Sequence, residues 1–252
     1  MRLTVLGSGA SYPGAGHACA GYLVEVGEAR VLVDCGNGSV SNLARVVEPE
    51  RLSAVFVTHA HVDHFADLYV LQAALRYAPQ GPAPALDLFV AEGVLDVVLA
   101  PLSERGRREM RDAFVVHGLA AGVPTDVGGL SVTPVPVTHA ESTFALAIDG
   151  CDGRLFYTSD AVLDDALIDA AQGADLLLAD ATLPDEYAGR APHMTPAQAG
   201  ALAAAVGAET LVLTHLWPSV NRDAAVFDAA RSFGGRIIVA SELLAIEIPE
   251  EE

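Results

Sequence analysis

The chain has no lysine. Its 14 basic side chains are all arginine and face 33 acidic ones, for a net charge of −19. Affinity for long nucleic acid rests on neutralising phosphates with Lys and Arg, so a long nucleic-acid partner is not expected. No apolar run is long enough to span a bilayer, so no membrane partner is expected either. The opening "MRLTVLGSGA" passes from a strand-like run into glycines, without the apolar stretch and cleavage site of a signal peptide. A cytoplasmic location is the expectation. Cysteine is scarce: Cys19, Cys35 and Cys151 are odd in number and none lies in a C-x-x-C pair. That argues against a disulfide framework and a thiolate metal site, and the three read as small buried hydrophobes. No internal repeat or low-complexity stretch is present. Arg105, Arg107, Arg108 and Arg111 cluster in "RGRREMR" and read as the wet face of a helix, with an anion-attracting lip or a dimer contact as alternatives.

What is present is apolar and regularly punctuated. At 252 residues and 52% hydrophobic, the chain suits one domain over residues 1–252. The Pro/Gly-rich stretch at 79–84 is the only candidate boundary, and the polar residues described below fall on both sides of it. "RLTVLG", "GYLVEV", "ARVLVDCG" and "SAVFVT" read as strands. Residues 64–77 read as a helix with Leu68, Leu71 and Leu75 on one face. "LDLFVA" is a strand, and "LSVTPVPVT", broken by prolines, is expected at an edge or bent. "RLFYTSD", "ADLLLAD" and "ETLVLTH" follow as strands, with a short helix in "LDDALIDAAQG". "TPAQAGALAAAVG" is a clearer helix: Thr195 is a good N-cap, Pro196 suits the first position, Gln198 completes a capping box and Gly207 is the stop. "NRDAAVFDAARSFGG" is the last helix, "RIIVASE" the last strand, and the acidic "PEEE" a frayed, solvated tail.

The informative pattern is where the polar residues stand. His59, His139, Asp160, Asp180 and His215 each sit at the carboxyl end of an apolar strand. Sites in open α/β sheets form in the crevice outside those ends, so the five should converge at one edge of the fold. "HAHVDH", residues 59 to 64, adds His61, Asp63 and His64. His59 and His61 are two apart, so extended backbone points both to one side. Asp63 and His64 begin the next helix and can reach a second position. Imidazoles packed this closely repel one another if protonated, whereas metals bind the neutral ring and the carboxylate. The donors divide into His59, His61 and His139 for one metal and Asp63, His64 and His215 for a second, with Asp160 between them. Nitrogen and oxygen donors without sulfur suit two divalent ions, Zn first, with Mn or Fe as alternatives. Such a pair can hold a hydroxide as nucleophile and clamp the oxygens of a displacement.

"HAHVDH" fits the H-x-H-x-D-H motif of the metallo-β-lactamase superfamily, and His139, Asp160 and His215 follow in that family's order. The chain resembles this family over nearly its whole length. The resemblance implies an α/β fold, the αββα four-layer sandwich, with a two-metal site in the cleft between its halves. Three stretches resemble the phosphodiesterase branch, which includes ribonuclease Z, PhnP-like phosphodiesterases and bacterial cyclic-nucleotide phosphodiesterases: "GSGASYPGAGHACAGYLVE", "DCGNGSVSNL" and "HMTPAQAG". By that likeness His193 is a catalytic residue beside Asp63, protonating the leaving oxygen or holding a phosphate oxygen, and Thr195 joins it in binding substrate. Asp180 lies in "ADAT", where ribonuclease Z has histidine–glutamate–alanine–threonine. Ala179 replaces the histidine, so Asp180 reads as orienting a ligand histidine or capping a loop. A homodimer is the family's expectation.

Ribonuclease Z grips tRNA with a long arm between the third histidine and the bridging aspartate. His139 and Asp160 lie too close in sequence for one. The expected substrate is therefore a small phosphodiester, 3′,5′-cAMP or a ribose cyclic phosphate. A ribonuclease Z-like nuclease, a thioester or lactone hydrolase, and a non-catalytic metal-binding scaffold stay open. "RYAPQGPAPALDLFV" and the arginine-rich segment after it are expected to line or cap the cleft. Tyr77, Phe114 and His117 read as core residues or as base-stacking groups. His17 lies in the glycine-rich opening with no role assigned.

Overall fold

The structure is a computed structural model that describes residues 1–140 and 142–248, so the acidic tail falls outside the described residues. Strands β1 (Arg2–Gly7), β2 (Gly21–Val26), β3 (Ala29–Val33), β4 (Ala54–Val57), β5 (Leu86–Val90) and β6 (Phe114–Gly118) belong to one sheet. Strands β7 (Thr125–Val127), β8 (Leu130–Pro136), β9 (Phe144–Gly150), β10 (Gly153–Tyr157), β11 (Leu176–Asp180), β12 (Thr210–Thr214) and β13 (Arg236–Val239) form a second. A last strand, β14 (Ala245–Glu247), crosses back to the first sheet. The orders are β14-β1-β2-β3-β4-β5-β6 and β13-β12-β11-β10-β9-β8-β7. Helices α1 (Ser39–Leu43), α2 (Val62–Phe65), α3 (Leu68–Arg76), α4 (Val94–Leu99) and α5 (Glu104–Ala113) accompany the first sheet, and α6 (Asp165–Ala170), α7 (Pro196–Val206) and α8 (Arg222–Ala229) the second.

Side-chain alternation builds the layers. On β3 and β4, Val31, Val33 and Phe56 face the other sheet, while Leu32, Val55 and Val57 face α3 and its neighbours. On β10 and β11, Leu155, Tyr157, Leu176 and Leu178 point inward, while Phe156, Leu177 and Ala179 meet α7. Three apolar clusters thus separate four layers, the αββα sandwich that the resemblance implies. No helix among the described residues is long and apolar enough to cross a membrane.

The structure corrects several details. The helix expected over 64–77 is two helices, α2 and α3, parted at Ala66–Asp67. Asp67 is tied to the loop after β3 instead: its amide donates to Cys35 O (2.9 Å) and its carboxylate accepts from Val40 N (3.0 Å). β8 is not an edge strand, but β7 covers only its first three residues, Leu130–Val132. Pro134 and Pro136 lie past that cover, where a missing amide costs no bond to β7. β14, which pairs with β1, carries no strong strand pattern and was not expected.

The loop after β3 is packed against the start of α2. A Cβ on Gly36 would fall 2.0 Å from Asp63 O and 2.8 Å from Ala20 O, both backbone atoms. Gly36→Ala must push α2 away, and a loss of about 3 kcal/mol is expected. A lowered urea midpoint, together with weaker metal binding through the displaced Asp63 and His64, checks it.

Candidate metal centre

The strand ends of both sheets meet over one cavity of about 300 Å³, lined by Ser11, His61, Val62, Asp63, Asp160, His193 and His215. The first sheet supplies His59 from the end of β4, and His61, Asp63 and His64 from the loop and α2. The second supplies His139, Asp160 and His215 beyond β8, β10 and β12. All seven come together in two groups, and Asp160 and His215 also cluster with Asp180 and His193 in a third.

In the first group His61 Nδ1 lies 2.9 Å from His59 Nε2 and 3.2 Å from His139 Nε2. Asp160 Oδ2 lies 3.5 Å from both Nε2 atoms. In the second, His215 Nε2 lies 3.2 Å from both His64 Nε2 and Asp63 Oδ2. Asp160 Oδ1 turns to this side, 3.3 Å from His64 Nε2 and 3.4 Å from His215 Nδ1. One carboxylate therefore serves both groups.

The partners of the outward ring nitrogens show which nitrogen each ring turns inward. His59 Nδ1 donates to Thr58 Oγ1 (3.1 Å), His64 Nδ1 to Asp34 Oδ2 (2.8 Å), His139 Nδ1 to Pro192 O (2.8 Å) and His215 Nδ1 to Thr182 Oγ1 (2.7 Å). Each of these rings then turns Nε2 to the interior, the nitrogen that ligates a metal once bare. In the first group, where burial keeps the rings neutral, lone pairs held this close repel unless a cation sits among them. Asp160 Oδ1 adds a second sign: it is buried and accepts no hydrogen bond, an expensive state for a carboxylate oxygen. The donor set fits divalent metal on both counts.

A model of the "Beta-lactamase superfamily domain" matches residues 29–216. The chain belongs to the metallo-β-lactamase superfamily. Among its relatives in this superfamily is the probable metallo-hydrolase YhfI of Bacillus subtilis, 29% identical over 245 residues that cover 95% of this chain and 97% of that protein. The crystal structure of YhfI superposes with a TM-score of 0.87 at 27% identity, covering 97% of this chain and 98% of that one. A ribonuclease Z of Mycobacterium bovis is 29% identical over 277 residues, 98% of each protein. Like its relatives, this member of the superfamily is a metal-dependent hydrolase.

Electrostatics divide the hydrolase's two groups. Burial pushes His59, His61 and His139 below the ordinary imidazole value, which leaves them neutral and ready to ligate. Burial alone would lower His64 too, but Asp160 and Asp34 hold it well above that value. His215 goes up to about 10, because Asp160, Asp180 and Asp63 outweigh its burial. Asp63 and Asp160 stay low for the reciprocal reason: burial raises each, and His215 and His64 more than offset it. Metal entering the second group must displace protons, so loading releases them and weakens as pH falls. Metal at a hundredfold excess over its Kd stabilises a fold by about 2.7 kcal/mol, roughly 5–10 °C in Tm for a chain this size. Melting curves with Zn and with chelator should differ by that amount.

His193 faces the cavity, its Nδ1 donating to Asp180 Oδ2 (2.9 Å). Asp180 therefore orients His193 directly, and it reaches His215 through Thr182, whose hydroxyl donates to Asp180 Oδ1 (2.5 Å). Thr195 is buried and forms the capping box with Gln198. Its hydroxyl accepts from Gln198 N (3.3 Å), and it does not line the cavity. Neither the 76–90 stretch nor Arg105–Arg111 lines the cavity, which corrects the expected cap. Gln80, Pro82 and Pro84 edge a separate surface hollow with Glu48 and Arg51. Arg105 and Arg108 pair with Glu109 and Glu104 on the exposed face of α5. Phe114 is core, Tyr77 is exposed elsewhere, and His117 pairs with Asp87 (2.8 Å) and stacks on Phe89.

Sequence reasoning missed Asp34. It is fully buried and accepts from Thr58 N, Thr58 Oγ1, His64 Nδ1 and Tyr157 OH at 2.8–3.1 Å. It ends β3 as the other site residues end their strands, so the same strand-end pattern would have found it. Ser11 was missed as well. Its amide donates to Asp63 Oδ2 (2.5 Å) from a left-handed backbone, φ 57°. Asp34, Ser159 and His215 share that unfavourable conformation, at φ 54°, 53° and 55°. Strain of this kind gathers at functional sites.

Proposed function

We propose that the chain is a two-metal phosphodiesterase, Zn-loaded first, for small phosphodiesters such as 3′,5′-cAMP or a ribose cyclic phosphate. The observation that carries this is His193. It sits on the "HMT" loop among the metal-ligating residues, meets His139 edge-to-face and stacks on His215, at ring-centroid distances of 4.7 and 5.6 Å. Burial disfavours its charge, yet the Asp180 carboxylate raises its pKa. With Nδ1 committed to Asp180, Nε2 is free to protonate a departing ribose oxygen, help worth ~10²–10⁴-fold. Asp63, fixed by the Ser11 amide, orients the attacking water. Bound divalent ions would activate that water and offset charge on the phosphoryl oxygens.

The span between His139 and Asp160 holds β9, β10 and their turns, and the charge of −19 opposes long RNA. Kinship to the Mycobacterium bovis ribonuclease Z supports a second reading, processing of tRNA precursors, for which a partner would have to supply basic surface. The test is turnover of bis-p-nitrophenyl phosphate and 3′,5′-cAMP by Zn- or Mn-loaded protein, with Asp63→Ala as control and a tRNA precursor in parallel. Turnover of both small diesters, abolished in the control, is the expected result. Hydrolysis of the artificial diester alone would reject cAMP. Metal-loaded protein inactive on both diesters, yet active on a thioester or lactone, would overturn the phosphodiester reading.

A further inference from the structure

A second cavity of about 300 Å³ lies beside the metal centre, lined among others by Ser8, Gly14, His17, Trp217, Pro218 and Arg222. None of these residues belongs to the two ligand groups. The two cavities share a wall. Ala10 N donates to Leu216 O (3.2 Å) and Leu216 N to Ser8 O (3.0 Å), stitching the glycine-rich segment to the residue after His215. The same segment continues to Ser11, whose amide holds Asp63.

The donors in this second cavity form a distinctive set. Arg222 gives one guanidinium nitrogen to Ala240 O (2.7 Å). It makes no ion pair among the described residues. Its other N–H donors are free for an anion. His17 donates from Nδ1 to Glu242 Oε2 (2.7 Å), and Ala18 N donates to Glu242 Oε1 (3.1 Å). That carboxylate is thereby satisfied within the wall, and His17 Nε2 is left for a ligand. Trp217, the only tryptophan of the chain, offers a half-buried indole beside Pro218, Leu216 and Val220. An aromatic face with an unpaired guanidinium and an imidazole suits a planar ring that carries an anion. The volume lies at the small end of ligand sites, enough for one nucleotide.

We infer that this cavity is a binding site for a nucleoside monophosphate, separate from the metal centre, with its base against Trp217 and its phosphate on Arg222 and His17. The site does not depend on the phosphodiester reading, because none of its residues acts on the reacting atoms.

Trp217 supplies the readout. 5′-AMP titrated into metal-loaded protein should quench its fluorescence saturably, while adenosine and inorganic phosphate, each lacking one half of the ligand, should bind more weakly. R222Q should weaken 5′-AMP by at least ~10-fold, the scale of one charge-assisted contact. His17→Ala, at a more exposed position and thus less prone to disturb folding, should weaken it as well. Both variants should keep the wild-type Tm and metal content. Absence of quenching, or quenching unchanged in both variants, overturns the proposal. So does quenching that both variants keep and that disappears on removal of the metal, since the nucleotide would then sit on the metal centre alone. Inorganic phosphate binding as tightly as 5′-AMP would reduce the site to a phosphate site and reject the nucleotide.

Discussion

Asp160→Ala should leave the protein with little bound metal and no measurable turnover. Asp160 is buried, and its two oxygens turn to different ligand groups, Oδ2 to His59 and His139, Oδ1 to His64 and His215. Among the described residues no other carboxylate touches both groups. Without it, the first group keeps three imidazoles and no anion. The second loses the charge that most strongly raises His64 and His215. Breaking a buried charged network by removing one member costs about 3–5 kcal/mol, and here the loss falls on the metal-binding form. Asp160→Asn should fail as well, because its amide turns N–H groups toward nitrogens that need a cation. Metal content by elemental analysis, beside the turnover of each variant, measures both effects. A full metal complement in Asp160→Ala would show that the two groups do not depend on their shared carboxylate.

His193→Ala should have the second largest effect and separate chemistry from binding. His193 lies outside the seven-ligand set, so the variant should hold its metals and its Tm. Turnover of 3′,5′-cAMP should fall by ~10²–10⁴-fold. Bis-p-nitrophenyl phosphate should suffer far less, since p-nitrophenolate departs without a proton. Asp180→Asn keeps an acceptor for His193 Nδ1 but removes the charge that holds its proton, so a loss of about 10–100-fold is expected, the scale of a partner acting through the ligand's neighbour. Equal losses on both diesters would move His193 from proton donor to substrate positioning.

Much of this was legible because two physical rules reinforce each other. Apolar runs mark strands, and a polar residue that ends such a run must emerge at the sheet edge. His59, His139, Asp160, Asp180 and His215 all followed that rule to one cluster of donors, and the "HAHVDH" spacing fixed which donors share a group. Asp34 obeyed the same rule and was passed over, because "DCGNG" reads first as a turn. Thr58 and Thr182 were opaque for a different reason: a threonine before or near a histidine is ordinary, and only tertiary packing shows which hydroxyl meets a ring nitrogen. Ser11 depends on a left-handed backbone that a serine does not advertise. β14 escaped because a three-residue strand at an edge is held by its partner β1 rather than by its own pattern. The expected cap over residues 76–90 failed because adjacency in sequence to the motif helix says nothing about which side of the sheet a loop returns on.

The way the two sheets share the centre has a consequence for dissection of the chain. The exposed connection between β6 and β7 divides the donors cleanly: His59, His61, Asp63 and His64 lie before it, and His139, Asp160, His193 and His215 after it. Neither fragment on its own holds either of the two groups to which His59, His61, Asp63 and His64 contribute, and β1 draws its edge partner β14 from the other fragment. Two separately produced halves would thus be inert and metal-poor, and the ion itself would become the ligand that reports their reunion. The fold amounts to a split protein whose fastener is also its reagent.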